Sequence, residues 1–179
     1  MNQPVARRVI SLVVVLVAAC WLTPRTARAQ ASVPRGVFRL TSDFRGPAIC
    51  LDIVNGGPSN LSAALRPCGN HSGQKWIATP TGGGYVALTT EFRGLGMCLD
   101  VLNGGPRNNQ VELRPCRSAS GQRWRFQPLA DGKVRLTSEL RGSRVCLDVF
   151  NGGEQGGQAE LRPCAHLSGQ LWTLTPFVP

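Results

Sequence analysis

The stretch Cys50 to Trp76, CLDIVNGGPSNLSAALRPCGNHSGQKW, returns as CLDVLNGGPRNNQVELRPCRSASGQRW from Cys98 to Trp124 and as CLDVFNGGEQGGQAELRPCAHLSGQLW from Cys146 to Trp172. The shift is 48 residues both times, without insertion. Extended outward, the likeness covers Phe38 to Pro80, Val86 to Pro128 and Val134 to Pro176. A fixed period of this length marks a repeat architecture, in which one unit cannot bury its apolar face alone and needs its neighbours.

Within the first copy, alternation predicts four short strands: 37–42, 49–54, 64–68 and 75–79. In the second of these Leu51 and Ile53 face one way and Cys50, Asp52 and Val54 the other, the period-two pattern of a half-buried sheet. Arg45-Gly46, Asn55-Gly56-Gly57-Pro58 and Ser72-Gly73 fall where the chain must turn. Three copies give twelve strands. An open stack would leave strand edges unpaired, whereas a closed threefold arrangement removes them, with the tryptophans and repeated leucines as shared core.

The composition agrees. Of 179 residues, 21 are Gly and 13 Pro, and only 6% are aromatic, which disfavours long helices. A hydrophobic share of 42% against 17% charged excludes a disordered chain. Residues 1–29 read as an export signal, with Arg7 and Arg8 before the apolar run Val9 to Leu22 and an Ala27-Arg28-Ala29 cleavage site. That run is shorter than the roughly 20 residues of a membrane span. Val17-Ala18-Ala19-Cys20 supplies an alternative, a lipoprotein signal with the anchor at Cys20. Residues 30–36 form a short linker and 37–179 the folded domain. Loss of the leader takes away four arginines, which lowers the net charge from +10 to about +6. The remaining basic residues are spread along the chain, so no nucleic-acid partner is expected.

The signatures Gln74-Lys75-Trp76, Gln122-Arg123-Trp124 and Gln170-Leu171-Trp172, with Cys-Leu-Asp and Pro-Cys upstream, resemble ricin-B-type lectin domains. The resemblance covers Val37 to Pro179 and implies an all-β fold, a β-trefoil, with approximate threefold symmetry. It also implies that Asp52, Asp100 and Asp148 bind sugar hydroxyls. Gln74, Gln122 and Gln170 would position those acids, and Trp76, Trp124 and Trp172 would serve as core.

Seven cysteines become six once the leader is removed, an even number in an exported chain, which points to disulfides. Bonding within each copy, Cys50 to Cys68, Cys98 to Cys116 and Cys146 to Cys164, uses one local geometry three times. No metal site is expected, since His71 and His166 occupy different repeat positions. No cofactor is expected either.

If each disulfide joined directly opposed residues, the register would set Asp52 opposite Arg66, Asp100 opposite Arg114 and Asp148 opposite Arg162. The polar face that results predicts a shallow glycan pocket per copy, built from these residues with Glu112, Glu160 and the three glutamines. The bland alternative is a set of cross-strand ion pairs, each contributing about 0 to 1 kcal/mol. Three departures from the resemblance argue against ordinary galactose. Arg66, Arg114 and Arg162 stand where an aromatic platform is usual, Gly73, Gly121 and Gly169 replace the Asn before the signature Gln, and Ala64 replaces a polar residue retained as Glu112 and Glu160.

The guanidinium fork points instead toward acidic or otherwise atypical glycans, on a chain expected to be monomeric and multivalent. Copies two and three, which keep their glutamates, are expected to be the better equipped. Phe44, Phe92 and Leu140 recur ahead of the second strand and read as loop packing. The chain leaves no room for a catalytic module, and threefold recurrence suits binding, so no enzymatic activity is expected. The alternative function is a non-catalytic interaction or inhibitor trefoil that has lost sugar binding.

Overall fold

The computed structural model describes residues 35–153 and 156–177. The proposed leader, Cys20 and most of the linker lie outside the described residues. Twelve strands follow in chain order: β1 Val37–Ser42, β2 Ile49–Ile53, β3 Ala63–Pro67, β4 Trp76–Gly82, β5 Tyr85–Thr90, β6 Gly94–Val101, β7 Val111–Pro115, β8 Trp124–Pro128, β9 Val134–Ser138, β10 Val145–Val149, β11 Ala159–Pro163 and β12 Trp172–Pro176. A single 3-10 turn precedes the fourth strand of each copy, at Ser72–Gln74, Ser120–Gln122 and Ser168–Gln170.

Six of these strands close on themselves. Pairing runs from β1 to β4, β5, β8, β9 and β12, and β12 returns to β1, so no barrel strand keeps a free edge. The threefold repeat is visible in the register, where Phe38 faces Trp76, Val86 faces Trp124 and Val134 faces Trp172. The remaining strands form the hairpins β2–β3, β6–β7 and β10–β11. This is a β-trefoil.

The hairpins lean on one another. Leu113 N–H donates to Leu61 O at 2.8 Å, Leu161 N–H to Asn109 O at 2.8 Å, and Leu65 N–H to Gly157 O at 2.7 Å. Each bond crosses from one copy to the next. Leu61, Asn109 and Gly157 hold the same repeat position, and all three have left-handed φ, 70°, 72° and 90°.

The apolar core takes the predicted face, Leu51 and Ile53 with their counterparts, but the opposite face is not open as alternation implied, since the cysteines, Asp100 and Asp148 are buried as well. The three tryptophans are fully buried beside Leu51, Leu99 and Leu147, and each indole N–H donates to the carbonyl of one of those leucines at 2.8–3.0 Å. Disulfides join Cys50 to Cys68, Cys98 to Cys116 and Cys146 to Cys164, each with a Cα separation of 5.0 Å. Closing a loop of this size contributes about 3 kcal/mol.

The expected register is corrected by two residues. Cys50 faces Arg66, and Asp52 faces Ala64; likewise Asp100 faces Glu112 and Asp148 faces Glu160. The reason is that the third strand ends at proline, and Cys68 lies just beyond it, paired through its N–H with Ala48 O. The disulfide therefore runs diagonally across a twisted hairpin instead of joining opposed residues. Asp and Arg still share one face.

Candidate functional site

The 3-10 turn brings each signature glutamine beneath its hairpin. Gln74 Nε2 donates to Asp52 Oδ2 at 2.9 Å and to Pro67 O at 2.8 Å, while its Oε1 accepts from Gly69 N–H at 2.9 Å. Gln122 repeats this with Asp100, Pro115 O and Arg117 N–H, and Gln170 with Asp148, Pro163 O and Ala165 N–H. Both amide hydrogens and the oxygen are engaged, and the side chains are almost wholly buried. The glutamines thus hold the acids and have no donor left over for a ligand.

The aspartates are turned inward. Asp52 Oδ1 accepts from the N–H of Ile53 at 2.7 Å, and Asp148 Oδ1 from that of Val149 at 2.8 Å. Gly73, Gly121 and Gly169 sit directly against this oxygen, so a Cβ at any of them would overlap the carboxylate. The glycine in place of the expected Asn is therefore what admits the inward rotamer. Exposure is uneven, for Asp148 is 3% and Asp100 9% exposed, while Asp52 is half-buried.

Among the described residues no Asp–Arg ion pair forms in any copy. Arg114 and Arg162 turn instead to the glutamates two residues back, Arg114 to Glu112 at 3.7 Å and Arg162 to Glu160 at 3.4 Å. Glu112 is bound more closely by Arg107, at 2.7 Å, which also donates to Gln110 and to Ser62 Oγ of the first copy. Burial pushes the Glu160 carboxyl above its ordinary value of 4.5; Arg162 partly offsets the rise and Asp148 adds to it. The glutamates belong to the junction between hairpins, which leaves copies two and three less open than expected.

Copy one differs. A cleft of about 670 Å³ is lined by Asp52, Arg66, Asn70, His71 and Phe92. Its counterpart in copy two, between Asp100, Arg114 and Arg117, holds about 260 Å³. Phe92 belongs to the next copy and enters because it follows β5, which pairs with β4 of copy one, so its recurrence in the sequence was the available signal. The Phe92 ring also carries the Arg93 guanidinium, 4.4 Å from its centroid. No cluster of His, Cys, Asp or Glu among the described residues could hold a metal ion.

This geometry, with an acid held by the glutamine of a Gln-x-Trp turn in each of three copies, agrees with what comparison with known proteins finds. A family described as "Ricin-type beta-trefoil lectin domain" matches residues 84–177, and another described as "Ricin-type beta-trefoil lectin domain-like" matches residues 28–114. No curated protein matches the chain at a significant level. Among solved structures, a designed threefold-symmetric protein, ThreeFoil, superposes with a TM-score of 0.68 at 24% identity, over 79% of this chain and 99% of that one. A ricin B-like lectin of Macrolepiota procera in complex with lactose gives 0.60 at 19% identity, over 80% and 97%. An exo-β-1,3-galactanase from Clostridium thermocellum gives 0.62 at 22% identity, over 79% of this chain but 30% of that enzyme. The chain belongs to the ricin-type β-trefoil lectin family.

Proposed function

We propose that this protein is an exported, non-catalytic carbohydrate-binding module with up to three shallow glycan sites, whose ligand is not plain galactose. The observation that carries the reading is the threefold Gln–Asp hydrogen bond, which fixes a carboxylate at the base of a polar hairpin face three times over. A carboxylate in that place accepts from sugar hydroxyls. The arginines in place of an aromatic platform weigh against simple galactose, since the ring loses its stacking surface.

Residues 1–29 act in this proposal as a leader and 37–179 as the binding domain. Three disulfides are compatible with an extracellular protein, and no helix among the described residues is long and apolar enough to cross a membrane. One observation favours the alternative of an interaction module: Asp148 is only 3% exposed, which leaves its oxygens little access to a ligand.

A glycan array of neutral and acidic sugars tests the reading. Wild type is expected to bind a defined subset, and the combined Asp52→Ala, Asp100→Ala and Asp148→Ala variant to bind none of it. A blank array for folded wild type, or equal profiles for both proteins, would favour the interaction module.

A further inference from the structure

The copies share the same motifs at the same spacing, yet their arginines stand in different electrostatic settings. Arg114 and Arg162 each have a carboxylate on the same strand within 4 Å. Arg66 has none, because the equivalent position is Ala64, and its exposed side chain makes no hydrogen bond or ion pair among the described residues. This free guanidinium borders the larger of the two clefts, whose other walls are Asp52, His71 and Phe92.

Both Asp52 oxygens already accept a protein donor, Ile53 N–H on one and Gln74 on the other, which satisfies part of that carboxylate's demand. Its exposure nevertheless exceeds that of Asp100 and Asp148. Arg66 lies two positions along the neighbouring strand from the residue facing Asp52, a step of roughly 7 Å. That is about the breadth of one sugar ring with its substituents. Arg93, stacked on the Phe92 ring that lines the cleft, is a second arginine with no ion pair among the described residues.

We infer that the copy-one cleft is the principal site and that it takes a sugar bearing an anionic group, with the anion on Arg66 and ring hydroxyls toward Asp52. This rests on the carbohydrate-binding reading above and deepens it. Carboxylate and sulfate both suit the planar fork of arginine, so the shared chemistry is an anionic oxygen cluster on a pyranose. The cleft volume lies in the range of small-ligand sites. In copies two and three a ligand anion must compete with Glu112 or Glu160 for the arginine, and the second carboxylate repels it.

Titration calorimetry at low salt separates the possibilities, with tri-galacturonate, galactose 6-sulfate and uncharged galactose as probes. At least one anionic probe should bind tenfold or more tightly than galactose, and which one does so identifies the group. Arg66→Gln should weaken that binding at least tenfold, and by more than either Arg114→Gln or Arg162→Gln. Arg66→Lys, which keeps the charge and loses the fork, should fall between. Arg144→Gln, an exposed control outside the clefts, should stay within twofold. Thermal unfolding of each variant guards against misfolding. Equal affinity for charged and uncharged probes, or indifference to Arg66→Gln, would overturn the inference and leave the lectin reading standing. Absence of binding to any of these probes, together with a blank glycan array, would end both.

Discussion

Asp148 and Glu160 face each other across the β10–β11 hairpin, two carboxylates on one face with Arg162 3.4 Å from the second. Because the Glu160 carboxyl titrates above its ordinary value, the folded protein holds that proton more tightly than the unfolded chain. The stability linked to this group is fully present below about pH 4.5 and is lost as pH rises through the raised folded value. Glu160→Gln should therefore gain on wild type as pH goes from 4 to 7. Urea midpoints at several pH values would measure this, and a variant that loses stability relative to wild type between pH 4 and 7 would contradict it.

Gly121→Ala places a methyl group against Asp100 Oδ1 and the Val101 backbone. The variant should be less stable by roughly 1–3 kcal/mol in denaturant unfolding, the usual cost of overpacking. If the clash with the carboxylate is the main cause, adding Asp100→Ala removes part of the penalty. A strictly additive double mutant would show that the glycine is not what accommodates the inward acid.

Gln122→Leu leaves Asp100, Pro115 O and Arg117 N–H without their partner at a site that is nearly closed to water. A loss of roughly 3 kcal/mol is expected, since unsatisfied buried groups cost more than a hydrogen bond contributes. A loss well under 1 kcal/mol would mean that water reaches these groups freely.

Gly157 carries the left-handed backbone that Leu61 and Asn109 adopt with side chains. Space around it is open, the nearest atoms to an added Cβ being those of Leu65 at 3.8–3.9 Å. Gly157→Ala should thus cost about 1 kcal/mol from backbone strain alone, and Gly157→Asn less. Equal unfolding midpoints for the two variants would argue against conformational strain as the cause.

The fold was legible because its determinants recur. Three aligned Trp, three Cys pairs and the same leucines could be read by superposing the copies, and twelve strands followed from alternation with no knowledge of contacts. The register was not legible, since Cys68 lies beyond the strand end at Pro67, and spacing alone does not say whether a disulfide is straight or diagonal. Nor was the part played by Phe92, which reaches the copy-one cleft from the following copy. The inward aspartates depend on the absent side chain at Gly73, Gly121 and Gly169, and that absence looked like a lost ligand contact before the geometry showed what filled the space.

The seam between β1 and β12, where Phe38 faces Pro176 and Phe177 N–H donates to Val37 O, is held by the same kind of pairing as the internal joints. Chain order is thus nearly incidental to the closed body. A circular permutant, with 37 and 177 tied by a short peptide and new ends cut at Gly83, should reach the same native state, whereas deleting one whole unit would leave two raw margins and invite self-association.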